Sequence, residues 1–357
     1  MSSTVFFIEN GRGVMGLKVR RIFNEDHQNW DELIRSSPQG TIFLMNDCLT
    51  TWIESDPRLY LLRYGCFDEH GTLLGVQALP YKKKMLGIRT QPSMSISYNF
   101  SPILAHSIVQ GSELYFDVIQ ALAKEAAKAF PYLKIYCHPS LRDMRPLLDI
   151  GWCASPEYAH IWDLNNPDAI TKILNPRQLR YAHKALESLE FAKENGDEVV
   201  DEFIALHKKE GKQYLNMTEE VWESAFRTRA QWLQSQDALR IFTCRKRDGR
   251  LIGGSACVLD RAHQAVFGWY IAYDLSLGEK RFMLALDLFT IRSLSGKFST
   301  LDIAEGIFPN LYAFKDSQGT QSLLFFMVEP SNANFRKKVL RTVKSAKEAV
   351  SNILGKT

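Results

Sequence analysis

Attack of a nucleophile on a carbonyl makes three physical demands: the carbonyl must be polarised, the nucleophile must lose a proton, and any charged portion of the substrate must be held. Residue types suited to each demand are gathered between Gln264 and Thr320. Lys315 closes the run Leu311-Tyr312-Ala313-Phe314-Lys315, and a lysine can stabilise an oxyanion or a phosphate. Asp302 and Glu305 flank the end of an apolar run, Leu301-Asp302-Ile303-Ala304-Glu305-Gly306, where either carboxylate can take a proton. Gly268, within Phe267-Gly268-Trp269-Tyr270, lets a ligand approach the backbone closely. Gly278, Lys280 and Arg281 lie in the loop that follows, one glycine and two cations beside the acidic Glu279. Each type also has an ordinary structural use: a solvated surface charge for lysine, a cap for a loop acid, a bulge for glycine.

Those side chains need elements to position them. The apolar run 265–273 predicts a strand, the run after Gly278 a helix, 298–304 a buried strand, and 305–320 a loop. Upstream, 59–66 and 72–80 read as a hairpin turned by Asp68-Glu69-His70-Gly71. Residues 111–130 read as a helix with Leu114, Val118, Leu122 and Ala126 on one face. A strand at 134–137 and a short helix at 141–148 follow. Asn166-Pro167 is a turn signal where a second unit starts. That unit predicts a basic helix over 177–193, amphipathic helices over 198–209 and 218–234, and a second hairpin, 239–244 with 251–259, turned at Asp248-Gly249. The two hairpins share residue order, and strand, long helix and buried strand recur in both halves. Internal duplication is the reading this favours.

A chain of 357 residues suits two domains, and its net charge of +4 points to neither nucleic acid nor membrane. The six cysteines are scattered with no Cys-x-x-Cys pair, so no zinc site is expected and the thiols read as small core residues of a reduced cytoplasmic protein. Val5-Phe6-Phe7-Ile8 is too short for a signal-peptide core and no apolar run reaches membrane-spanning length.

With these residues in view, the chain resembles the Fem-type aminoacyltransferases and their wider GNAT-like acyltransferase relatives. The Leu-Tyr-x-Phe-Lys run carries the most specific part of the likeness. The resemblance implies an α/β (α+β) fold of tandem GNAT-like domains, each a mixed β-sheet flanked by helices. Residues 1–164 would form the acceptor side and 165–330 the donor and catalytic side, with a helix over 331–357 packing back on the first domain. It implies an enzyme: an acyl- or aminoacyltransferase acting on an amine or hydroxyl of a cell-envelope precursor, whether peptidoglycan, glycan or lipid-linked. No cofactor would be resident, and the donor substrate would be aminoacyl-tRNA or acyl-CoA. Lys315 matches the lysine such enzymes keep at the active-site channel, with Tyr312 and Phe314 beside it. The stretch around Gly268, Trp269 and Tyr270 matches the splayed strand whose N–H groups polarise the carbonyl. Tyr98 and Asn99, in Tyr98-Asn99-Phe100-Ser101-Pro102, fall where relatives have a turn lining the acceptor side. Arg180 belongs to Arg177-Gln178-Leu179-Arg180-Tyr181, similar to a basic run at the start of the family's second domain, able to meet tRNA or an anionic acceptor.

Two departures qualify the likeness. The pyrophosphate loop of acetyl-CoA enzymes is degraded here to Asp274-Leu275-Ser276-Leu277-Gly278-Glu279-Lys280-Arg281. Ile53-Glu54 follows Trp52 where muramyl-peptide enzymes place a lysine, which turns the expected acceptor away from the UDP-linked precursor. Acyl-CoA-dependent N-acylation of a sugar or small amine, and a GNAT-like module that only binds, stand as alternatives. The basic amphipathic stretch 334–354 is able to touch an anionic membrane, although packing on the first domain is the preferred reading.

Overall fold

A computed structural model of the chain describes residues 4–7, 16–83, 89–90, 103–130, 133–209, 218–274, 276, 281–305 and 315–331. The first strands, β1 (Thr4–Phe7) and β2 (Gly16–Arg21), pair antiparallel and lead into helices α1 (His27–Ser36) and α2 (Asn46–Glu54). The expected hairpin follows as β3 (Leu59–Phe67) and β4 (Leu73–Lys83), and the short β5 (Arg89–Thr90) and β6 (Ile103–Ala105) both pair with β4. Together they form a six-stranded sheet of order β1-β2-β3-β4-β5, with β6 on β4. Helix α3 (Glu113–Ala129) covers one face of this sheet. Its buried Val118, Ile119, Leu122 and Ala126 recur at helical spacing and meet Leu17, Leu62 and Leu79. On the other face Trp30, Leu33 and Ile34 of α1 pack against Val76 and Ala78.

The second sheet draws on both sides of residue 164. Before it come β7 (Ile135–Tyr136), helix α4 (Arg145–Leu148) and β8 (Trp152–Asp163). After it come α5 (Pro167–Ile173), α6 (Pro176–Ser188), β9 (Glu190–Glu194), α7 (Asp197–Lys209) and α8 (Glu219–Ser235). The chain continues through β10 (Leu239–Arg245), β11 (Leu251–Asp260), β12 (Ala265–Tyr273), α9 (Arg281–Leu294), β13 (Thr300–Glu305) and β14 (Gln321–Pro330). The order is β7-β14-β8-β13-β12-β11-β10-β9, with β12 and β13 the parallel pair. Helices α7 and α8 cover one face through Phe203, Trp222 and Phe226, and α6 and α9 the other through Ala182, Ala185, Ala285 and Leu288.

Two differences from the sequence expectation have clear physical causes. The basic helix ends at Ser188, and residues up to Glu194 instead hydrogen-bond along β10, in register Ile241↔Glu194 to Arg245↔Glu190. The pull of an open sheet edge outweighs the helical periodicity there. The twelve-residue β8 was not foreshadowed. It contains Pro156 and alternates poorly in burial, because its two neighbours, β13 and β14, cover different stretches of it.

The paired hairpins support the internal repeat. β3–β4 has Cys66 opposite Gly75, then a register shift to Phe67↔Leu73. β10–β11 has Cys244 opposite Gly253, then the same shift to Arg245↔Leu251. Gly71 and Gly249 turn the two hairpins with the same φ of 83°. A Cβ on Gly75 would stand 2.4 Å from Val118 of α3, and one on Gly253 2.5 Å from Phe282 of α9. In each half, a bare backbone position lets the following long helix close onto the sheet. Five cysteines are buried as small core residues and Cys153 is exposed. Among the described residues no helix is long and apolar enough to cross a membrane, and no cluster of three metal-ligating side chains occurs.

Candidate active site

The site is built on a parting of strands. β12 and β13 pair at Ala265↔Thr300, Val266↔Leu301 and Phe267↔Asp302, and no ladder pairing joins them beyond that point. Gly268 is the first residue past the last pair. A Cβ there would lie 3.3 Å from the Asp302 carbonyl oxygen, so the missing side chain keeps the mouth of the parting open. Each strand keeps its outer partner. β12 stays on β11 but shifts register between Cys257↔Gly268 and Ala256↔Tyr270, which makes Trp269 an extra residue. β13 stays on β8 with an irregularity between Asp302 and Glu305. Two outer ladders that bend apart leave a wedge lined by backbone, the geometry needed to meet a ligand carbonyl.

The bulge has a second effect. It sends the consecutive Trp269 and Tyr270 to the same face. Trp269 stacks on Phe226 of α8 at 4.7 Å, and Tyr270 meets Phe226, Trp222 and His207 edge-on at 5.2, 5.8 and 5.9 Å. Trp269 is buried and belongs to the core, whereas Tyr270 is half-buried.

Lys315 reaches β13 from a turn. Its half-buried ammonium donates to the Ile303 carbonyl at 3.1 Å, one residue past the last β12–β13 pair. The turn is pinned from β8, where His160 and Trp162 project to one face. Trp162 Nε1 donates to the Gln318 carbonyl at 2.9 Å. His160 Nδ1 lies 3.1 Å from Thr320 Oγ1, and that hydroxyl donates its proton to the Lys315 carbonyl at 3.0 Å. With the threonine proton so used, His160 must donate from Nδ1, leaving the lone pair of the neutral ring on Nε2. Burial first, and then the Lys315 ammonium, push the imidazole pKa below its ordinary value, against the pull of Asp316. Gly319, at φ 73°, finishes the turn against the Ile170 carbonyl of α5, where a Cβ would stand 2.9 Å away.

Asp302 is the partner of both Phe267 on β12 and Ile161 on β8, so it stands at the parting, half-buried. Strand alternation sets it on the face opposite Leu301 and Ile303, which pack towards α9. Glu305 ends β13, in register with Ala159. Arg180 is exposed on α6, a helix that packs on α9 through its alanines. Arg281 is the first residue of α9. Tyr98, Asn99, Gly278, Lys280, Tyr312, Phe314 and all but the first residue of the helix expected over 331–357 lie outside the described residues. Sequence reasoning missed His160, Trp162 and Thr320. The one available signal was a lone histidine in the apolar run Ala159-His160-Ile161-Trp162.

No family model and no curated protein matches the chain. Solved structures do. FemX is similar over 86% of this chain and 96% of its own, at 16% identity and a TM-score of 0.59. The C-terminal domain of a putative lysylphosphatidylglycerol synthetase from Agrobacterium fabrum is similar over 89% of this chain and 95% of its own, at 12% identity and a TM-score of 0.56. A tandem GNAT protein from the clavulanic acid biosynthesis pathway is similar over 88% and 97%, at 14% identity and a TM-score of 0.51. The chain therefore has the mixed α/β fold of tandem GNAT-like proteins, FemX among them.

Proposed function

We propose, from the fold shared with these structures, that this chain is an acyl- or aminoacyltransferase acting on an amine or hydroxyl of a cell-envelope precursor. One observation carries the reading: β12 and β13 part at Gly268, and the Lys315 ammonium stands on the carbonyl of Ile303, one residue past the last pair. In this reading the carbonyl of the activated group enters the wedge. Backbone N–H groups of β12 past Gly268 and the Lys315 ammonium face the negative charge that develops on its oxygen. Charge stabilisation of this kind is preorganised, since strand ladders and the pinned turn fix both donors before substrate arrives. Asp302 takes the proton of the attacking amine or hydroxyl. His160 is a positioning residue: neutral and buried, it fixes Thr320 and so the turn that presents Lys315, without placing a second full positive charge beside the ammonium.

Apart from β7 and β8, which join the second sheet, residues before 164 supply the acceptor side and those after it the donor side. The donor is an aminoacyl-tRNA or an acyl-CoA, and an envelope intermediate is the acceptor, in line with the names FemX and lysylphosphatidylglycerol synthetase borne by two of the similar proteins. A second reading, acyl-CoA-dependent N-acylation of a small amine or sugar, draws on the tandem GNAT relative, solved without acetyl-CoA.

Native mass spectrometry with acetyl-CoA, long-chain acyl-CoA and charged tRNA offered in parallel tests the proposal. The expected result is a mass shift with one donor, weakened by Gly268→Val, which fills the mouth of the parting. If no donor binds, or if the bound donor is retained undiminished by Gly268→Val, the acyl-wedge reading is wrong and a binding module without transfer takes its place.

A further inference from the structure

A separate cavity of about 380 Å³ opens at the other end of helix α9. Four cations converge on it from four segments: Lys193 of β9, Arg240 of β10, Arg261 of the β11–β12 turn and Lys297 of the turn after α9. One carboxylate, Asp237, is shared between Arg240 and Arg261, the latter at 2.5 Å. Lys193 and Lys297 are exposed. A concave, net-positive surface of this kind raises the local concentration of anions, and a bound anion relieves the mutual repulsion of the cations. Arginine forks suit phosphate oxygens in particular. The rest of the wall combines Leu259, Leu294 and Phe298 with the polar Gln264 and Ser293.

The backbone around the cavity is strained. Asp237 and Gln264 are the positive-φ residues other than glycine among those described, at 51° and 50°; Gln264 lines this cavity, and Asp237 holds two of the arginines that do. Left-handed backbone is unfavourable for a residue other than glycine. Strain at two positions that aim the same cluster of charges is the pattern of a built site.

The cavity is distinct from the acyl wedge. Gln264 precedes Gly268 by four residues of strand, about 13 Å. Ser293 and Leu294 line the cavity at the end of α9 remote from Arg281, about 20 Å along the helix axis.

We propose that this cavity is a second ligand site, taking a nucleotide-class molecule. Its phosphates lie among Lys193, Arg240, Arg261 and Lys297, and its flat ring lies against Phe298 and Leu294. A volume near 380 Å³ falls in the range of small-molecule sites and leaves room for a ring beside the phosphates.

Titration calorimetry on the full chain with ADP, pyrophosphate and adenosine tests this. ADP should bind with unit stoichiometry, pyrophosphate more weakly, and adenosine not measurably. Added salt should weaken ADP binding. The double variant Lys193→Ala/Lys297→Ala changes two exposed side chains, and should bind ADP at least about tenfold more weakly, a difference of roughly 1.4 kcal/mol. Arg261→Gln is the second variant should the double variant melt early, with the same expected direction. Absence of saturable ADP binding would overturn the proposal. So would unchanged ADP affinity in the folded variants, since the nucleotide would then sit elsewhere. Pyrophosphate binding as tightly as ADP would overturn the nucleotide class.

Discussion

Replacing Lys315 by methionine keeps most of the side-chain volume and removes the ammonium. In the ground state that ammonium makes a 3.1 Å hydrogen bond to Ile303 from a half-buried position. A charged hydrogen bond is worth about 1.5–3 kcal/mol where buried, and less where water can replace it, so a stability loss of about 1 kcal/mol is expected. For units of this size that shifts the melting temperature by about 2–4 °C. The transition state should lose more. Removing one preorganised donor from a developing oxyanion costs about 2.7–4 kcal/mol, a hundredfold to a thousandfold in turnover. The assay is single-turnover transfer with whichever donor the mass measurement identifies, read beside thermal unfolding of the same samples. Lys315→Met should therefore melt almost like the parent and transfer at no more than about one hundredth of its rate. Transfer at the parental rate would refute the argument that this ammonium faces the reacting carbonyl. A large loss of stability instead would show that Lys315 serves the fold.

Other outcomes follow from the same geometry. Trp162→Phe leaves the Gln318 carbonyl without its buried donor, and should cost about 1–3 kcal/mol in urea unfolding and lower the transfer rate by loosening the Lys315 turn. Gly75→Ala and Gly253→Ala should each destabilise by about 1–3 kcal/mol through clashes with Val118 and Phe282, whereas Gly16→Ala, which meets nothing within 4 Å, should be nearly neutral. Ellman titration of the native chain should find one fast thiol, Cys153, because burial pushes Cys66, Cys137, Cys244 and Cys257 up to about 12 and raises Cys48 too. Burial, with His263 nearby, depresses His138 to about 4, while burial of His263 is outweighed by its bonds to Asp260 and its pKa rises. The folded state then resists protonating His138, so its contribution to stability is lost as pH falls below about 6.5. The contribution of His263 is present at low pH and lost as pH rises through its raised value. Histidine NMR titrations should show the two on opposite sides of 6.5, and the reverse order would contradict the packing around Asp260.

Much of the fold could be read locally because the forces that set it are local. Asp68-Glu69-His70-Gly71 and Asp248-Gly249 turn their hairpins through glycines at φ 83°, and helical spacing of apolar residues marks α3 and α8. The repeat was legible for the same reason, since each copy carries its own turn and its own bare glycine. Lys315 and Gly268 could be singled out as residue types at suggestive places, but not brought together. That needs the register Phe267↔Asp302, formed between strands joined through a long helix, and the loss of pairing just beyond it. β8 is the extreme case. Its Pro156 and uneven burial hide it from any period-two pattern, because its partners β13 and β14 come from far along the chain and each covers only part of it. His160 took on meaning only there, once Thr320 had arrived from 160 residues away and the Lys315 ammonium had come close enough to help hold the ring neutral. Turns and periodicity are energies of neighbouring residues and can be read in the sequence. The parting of two strands depends on which distant backbones hold each of them, and only the assembled sheet decides that.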